Sequence, residues 1–476
     1  MIRKLGLALG ALAAALALAE LVVRVLGLGT PAPGVSLDQH TASRLESGVF
    51  VFDRDLLWRE PSGPPDEIHR HGHFVRVGDT LPAPDGRLRL LVLGDSCPRL
   101  SRGNAPWSVR LEQILGPDRV VVRNASLPGY TTWQGLAWLR EHLLDWSPDL
   151  VVVSFGWNDH WRAAAWEDKD WPEVLDGSPL RLLNLVRRPP RGHPLRVAPD
   201  DYRANLAELT RLVASRSGRT VVVLPPSDID ALNTARFLEN RNIRPGDDPA
   251  DLHARYLEIA RELAGTGDRD GTGVGGLQDA DAAAWFAAVG EPRLLLEADG
   301  IHYTEAGHEL MARLLAPLLA GAEQPDPAAV GLGIVAQEAA ATGRYAEARR
   351  LYGRAVAAAP DDVGLALSCA WLLSTCPDAA VRDGAAALAV LAAVADSAAG
   401  FAGYHDVRGA ALATAGRFDE AVGAVDQALA LAAAVAAGDG APGGPGAGFT
   451  AQLEARRALY AAGRAYRVEA RGGGGR

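Results

Sequence analysis

Four stretches of the chain carry an aliphatic core without interruption: RLRLLVLG at 87–94, RVVVRNA at 119–125, DLVVVSFG at 149–156 and RTVVVLPP at 219–226. None alternates polar with apolar positions as a strand with one wet face does, so each reads as a strand buried on both faces. Between them run WSVRLEQIL, TTWQGLAWLREHLLDW and YRANLAELTRLVASR, whose apolar residues recur at helical intervals. Strands separated by helices in this order predict an α/β domain with a parallel sheet covered on both faces. In such sheets ligands bind beyond the carboxyl ends of the strands, so the residues after each strand are where chemistry is to be sought.

Those residues form a pattern. The first strand runs into Gly94-Asp95-Ser96, the second into NASLPGYTT with Gly129, and the third into Gly156-Trp157-Asn158-Asp159. Near the end of the region Asp299-Gly300-Ile301-His302 precedes the helical TEAGHELMARLLAPLLA. A serine hydroxyl is a poor nucleophile until a base takes its proton, and His302 is a base suited to neutral pH. Asp299, three residues earlier, can hold the imidazole in the tautomer that accepts that proton. The N–H groups of Ser96 and Gly129 and the Asn158 amide are candidate donors to an oxyanion. Taken singly, each block reads equally as a turn or a helix cap; together, in order and at strand ends, they predict acyl-transfer chemistry. Asp95 and Asp159 read as structural, holding turns through side-chain to backbone hydrogen bonds.

These four blocks resemble the signature of the SGNH hydrolases, also called GDSL esterases and lipases, over residues 86–322. The resemblance implies a three-layer α/β/α, flavodoxin-like domain and a catalytic Ser96, His302 and Asp299 working through an acyl-enzyme. It implies an oxyanion hole of Ser96, Gly129 and Asn158, and ester substrates on carbohydrates, lipids or small acyl groups. One departure is CPRLSRG after Ser96, where the family often has a small residue and then glycine; it bears on the acyl pocket. Cys97 reads as a small packed side chain. Residues 160–200 and 228–290, with Trp161, Trp166 and Trp171, lack periodicity and are where substrate choice is expected.

The termini add other features. Residues 5–23 are apolar and as a helix would extend about 28 Å, close to a bilayer core, with Arg3 and Lys4 ahead of them. Two readings fit: an uncleaved single-pass anchor with the rest of the chain on the periplasmic side, or a signal cleaved after Ala17-Leu18-Ala19. Glu20 stands four residues before Arg24, where the two can pair. Residues 1–28 are thus an anchor or signal, and 29–85 a linker and N-terminal extension. After residue 322 the composition turns to alanine-rich helix. GRYAEARRLYGRAVAAAP and GRFDEAVGAVDQALA begin at Gly343 and Gly416 and resemble tetratricopeptide repeats, with room for a degenerate repeat between them and an insertion near 374–378. An all-α repeat domain is expected over 323–436, offering a groove for a protein partner or capping the enzyme domain. A Gly/Pro linker and a last amphipathic helix follow over 437–476.

Composition excludes more than it assigns. The 476 residues carry a formal net charge of −10 and no basic block, which excludes a nucleic-acid partner. The three cysteines, Cys97, Cys369 and Cys376, have no zinc-site spacing. His69, His71 and His73 in HRHGHF share a face if extended, but without an acidic or cysteine partner at ligand spacing they read as a solvated edge. The glycine-rich GTGDRDGTGVGG lacks a following Gly-Lys-Ser/Thr and reads as a loop. No cofactor and no metal are expected. The sequence therefore points to an extracytoplasmic, membrane-anchored serine esterase. An O-acyltransferase with the same residues and a non-catalytic repeat scaffold are the alternatives.

Overall fold

The computed structural model describes residues 2–28, 39–62, 72–103, 105–178, 180–186, 193–232, 234–266, 277–437 and 447–469. The linker after residue 28, His69 and His71, most of the glycine-rich loop and the Gly/Pro linker lie outside the described residues. The chain divides into two compact units, one of Met1–Ala283 with Leu296–Tyr303, the other of Ala284–Leu295 with Thr304–Arg476.

The first unit is built on a five-stranded parallel sheet. In chain order a short hairpin comes first, β1 (Val51–Asp53) and β2 (Leu57–Arg59), followed by the sheet strands β3 (Leu88–Gly94), β4 (Val120–Ser126), β5 (Leu150–Ser154), β6 (Arg219–Val223) and β7 (Leu277–Ala280). Their order is β4-β3-β5-β6-β7, with every sheet pairing parallel, the order of flavodoxin-like sheets. Leu90, Leu91, Val92 and Leu93 are all fully buried, which is why β3 shows no polar alternation. The register sets Gly94 against Ser126 of β4 and Ser154 of β5, so the loops after these strands open at one rim, where the strand order reverses.

The β1–β2 hairpin belongs to this core. Phe50, Leu56, Leu57 and Trp58 are buried among Tyr130, Trp138 and Phe155, and the Tyr130 hydroxyl donates to the Trp58 carbonyl at 2.6 Å. His73 is a correction to the expected solvated edge: it is buried, with Nε2 3.0 Å from Ser108 Oγ. The neighbouring backbone pairs with β4, since Val75 N–H donates to the Asn124 carbonyl and Asn124 N–H to that of His73. Such pairing covers an edge that would otherwise stay open.

The N-terminal segment is helical over Ile2–Val25. Among the described residues no helix is long and apolar enough to cross a membrane. The run is rich in alanine, and Glu20 interrupts it. That carboxylate pairs with Arg24 Nε at 2.7 Å and also accepts the N–H groups of Arg181 and Leu182, at 2.9 and 2.8 Å, at the start of the helix Arg181–Val186.

The second unit is helical. Pro327–Ala341 pairs with Tyr345–Ala358, Val363–Thr375 with Gly384–Ala393, and Ala402–Thr414 with Phe418–Ala437. Gly343 and Gly416 take φ of +81° and +80° at the turns of the first and third pairs, a conformation glycine adopts without strain. Asp326, Asp362 and Asp383 cap the first helix of one pair, the first of the next, and that one's partner. The final helix, Ala447–Ala461, buries Leu453 and Tyr460 against Val425 and Leu412. After it Gly463 turns the chain with φ of +67°.

Candidate active site

β3 delivers Ser96 through a tight turn. Asp95 N–H donates to the Ser154 carbonyl at 3.2 Å, and the Ser96 carbonyl then accepts N–H groups from Arg99 and Leu100 at 3.2 and 2.9 Å. Gly94 must be glycine here, since a Cβ would lie 2.6 Å from both Pro98 Cγ and the Ser154 carbonyl oxygen. Asp95 is buried; Oδ1 accepts Cys97 N–H at 2.9 Å and Oδ2 the Asn158 amide at 3.2 Å. Burial pushes its carboxyl up to about 6 against those hydrogen bonds. Cys97 is buried as well, and burial with the nearby Asp95 and Asp299 charges pushes its thiol well up, so it is packing rather than a nucleophile.

His302 arrives on a loop folded on itself. The Asp299 carboxylate accepts the N–H groups of Ile301 and His302 through Oδ1, both at 3.0 Å, and meets His302 Nδ1 through Oδ2 at 2.6 Å. Gly300, with φ of +72°, lets this loop approach Asp228, whose carbonyl oxygen would stand 2.5 Å from a Cβ. His302 Nε2 stands 2.8 Å from Ser96 Oγ. A carboxylate at Nδ1 requires the proton there, so Nε2 carries the lone pair and accepts from the serine hydroxyl.

The electrostatics agree with that assignment. Burial pushes the Asp299 carboxyl up, but the His302 hydrogen bond and charge and two backbone N–H groups outweigh it and hold it well below the usual carboxylate range. For His302, burial disfavours the imidazolium, yet Asp299, with Asp95 and Glu297, raises its pKa above the usual value.

Gly129 and Asn158 meet this group in one cleft of about 450 Å³. Gly129 has φ of +86° in a turn closed by Tyr130 N–H on the Leu127 carbonyl at 3.1 Å. Its own carbonyl accepts Arg196 Nη1 at 2.7 Å, and Arg196 is held by Asp168 and by Gln134 Oε1. Asn158 Nδ2 donates to Asp95 Oδ2 and, at 3.1 Å, to the Tyr130 carbonyl. Asp159, fully buried, accepts Thr132 N–H at 2.9 Å at the start of the next helix, and burial pushes its carboxyl up to about 7. Of the three tryptophans, Trp161 lines the cleft, Trp171 is core and Trp166 packs against that core. Among the described residues no group of three or more His, Cys, Asp or Glu side chains is placed to hold a metal ion.

Sequence reasoning missed Arg196. It sits in RGHPLRV, where no periodicity or motif marks it, yet it fixes the Gly129 loop. It also missed Arg162, Arg236, Asn240 and Asn242, which line the far part of the cleft and come from the aperiodic stretches.

Known proteins resemble parts of this chain. The model of the GDSL-like Lipase/Acylhydrolase family matches residues 92–310. An arylesterase of Vibrio mimicus is 36% identical over 107 residues, which are 21% of this chain and 48% of that protein, so the chain spans about half the length of this curated relative. Among solved structures, a lipase/acylhydrolase from Enterococcus faecalis aligns with a TM-score of 0.33 at 21% identity, covering 49% of this chain and 95% of its own. An acetyl xylan esterase from Geobacillus stearothermophilus aligns with a TM-score of 0.31 at 19% identity, covering 50% and 96%.

Proposed function

We propose that this chain, whose residues 92–310 match the model of the GDSL-like Lipase/Acylhydrolase family, is a serine esterase of that family that cleaves a short acyl or acetyl ester of a carbohydrate. The observation that carries the reading is His302, bridging Ser96 Oγ at 2.8 Å and Asp299 Oδ2 at 2.6 Å. In this reading Ser96 Oγ attacks the ester carbonyl carbon as its proton passes to His302 Nε2, and Asp299 stabilises the imidazolium. The oxyanion is met by the N–H groups of Ser96 and Gly129 and by the Asn158 amide, which turns from one of its present acceptors to do so. His302 returns the proton to the departing alcohol. Water, deprotonated by the same imidazole, then cleaves the acyl-enzyme, giving the carboxylic acid and restoring the serine.

Trp161, Asn240 and Asn242 in the cleft support a saccharide as the alcohol, offering an apolar face beside amide groups. The paired helices of the second unit, read as tetratricopeptide-like, are proposed to serve a protein partner. An exported location rests on Arg3, Lys4 and the apolar run behind them.

The test is covalent. A fluorophosphonate should add once to the full chain, on the peptide bearing Ser96, and abolish hydrolysis of 4-nitrophenyl acetate. Ser96→Ala should take no label and lose on the order of 10⁶ in kcat. Labelling elsewhere, or turnover undiminished in Ser96→Ala, would overturn the reading.

A further inference from the structure

Beyond Ser96 and His302 the cleft reaches a wall that the catalytic steps do not use. Two loops build it as one surface. Arg162 N–H donates to the Asn242 carbonyl at 2.7 Å, Asn242 N–H donates to the Phe237 carbonyl at 2.8 Å, and the Trp161 and Phe237 rings lie 4.8 Å apart. Arg162, Arg236, Asn240 and Asn242 line the cleft here, and Arg44 and Arg196 line it as well. Among the described lining residues the one carboxylate is that of Asp299, committed to His302.

The guanidiniums are oriented in advance. Arg162 Nε and Nη2 reach Asp247 at 2.8 and 2.7 Å, and Arg196 Nε and Nη2 reach Asp168 at 3.1 and 2.8 Å, while neither aspartate lines the cleft. Arg244 shares Asp247 at 3.7 Å, so two guanidiniums face that one carboxylate. Arg236 stands on an exposed turn of the helix Thr234–Glu239. These arginines gather at one cleft in a chain whose net charge is −10, so their gathering does not follow from general basicity.

The chemistry of such a wall selects. Guanidinium offers donors and no acceptor, so these side chains suit an acceptor-only anion better than a neutral polyol, whose hydroxyl protons need acceptors. An oxyanion accepts from guanidinium and amide donors alike, and a concave site concentrates the attraction of the guanidinium charges. Resting on the esterase reading of the same cleft, we propose that the natural ester carries an anionic group on its alcohol part. A carboxylate, a sulfate-type group or a phosphate shares the required chemistry, and the wall of Arg162, Arg236, Asn240 and Asn242 holds it.

The experiment compares aryl acetates that differ in one substituent: 4-acetoxybenzoate, 4-acetoxybenzenesulfonate and 4-acetoxyphenyl phosphate against the neutral methyl 4-acetoxybenzoate. Each kcat/KM with the full chain is divided by the ester's own rate with hydroxide. At least one anionic ester should exceed the neutral one by about tenfold or more, chiefly through KM, and the arm that does so identifies the group. The preference should shrink as salt is added, shrink in Arg236→Gln and reverse in Arg236→Glu. Equal or better cleavage of the neutral ester, or a preference untouched by Arg236→Glu, would overturn the inference and leave the esterase reading standing. Failure to cleave any of the four would overturn the esterase reading and this inference with it.

Discussion

Asp95 accepts the Asn158 amide at 3.2 Å on one carboxylate oxygen and the Cys97 N–H at 2.9 Å on the other. One buried side chain thus ties the turn that carries Ser96 to the amide proposed to face the oxyanion. Asp95→Asn would set an NH₂ group against one of these donors. It should lower kcat by about 10- to 100-fold with little change in KM, the range typical of groups that orient others. The Asp95 charge also helps raise the pKa of His302, so removing it should move the acidic limb of the pH–rate profile downward. Loss of activity with an unmoved limb would reduce Asp95 to a turn-former.

The base itself makes a signed prediction. His302 acts as a neutral imidazole, and its pKa is raised above the usual 6.5, so kcat/KM should fall as pH drops through a value above 6.5. In Asp299→Asn the largest raising influence is gone while burial remains, so the limb should shift below 6.5. Turnover should fall about 10⁴-fold. A pH profile from 5 to 9 for both proteins checks the direction.

Arg196 contacts Asp168, Gln134 and the Gly129 carbonyl at once through its planar fork. Lysine keeps the charge but cannot reach all three. Arg196→Lys should retain the fold, by circular dichroism, and lower kcat about tenfold by loosening the Gly129 turn. Full activity would show that the turn holds without it.

In the helical unit Arg456 and Asp406 form a bidentate pair with both side chains buried, Nε to Oδ1 and Nη2 to Oδ2 at 2.8 Å, with the Arg456 guanidinium over Trp371 and Tyr466. Arg456→Met alone leaves a buried carboxylate uncompensated and should cost about 3–5 kcal/mol. Adding Asp406→Leu should restore most of it, and denaturant titration of the three proteins measures both steps.

Asp299 and His302 follow a short helix, Pro292–Leu295, and stood out only through the DGIH block itself. Ser96 was legible from a local rule: a buried strand ends, the chain turns, and a polar residue stands at the rim. The strands β3 to β6 were legible for the same reason. β7 was not, since LQDA carries too few apolar residues to stand out after a glycine-rich run. The β1–β2 hairpin escaped because strands of three residues have no period to detect. Arg196 acts through Gly129, Gln134 and Asp168, all far along the chain, and nothing in its own neighbourhood announces those partners.

Ser96 and His302 are 206 residues apart in sequence, and the hydrogen bond between them closes that whole span. During synthesis the nucleophile therefore waits for its base. At the usual pace of translation the wait is roughly 10 to 40 s, while β4 to β7 are still being made. A contact this non-local forms late in folding, after the loops it closes have been ordered. Under the proposed mechanism a chain ending before His302 should cut no ester, and recovery of turnover on refolding should time the closure of this contact.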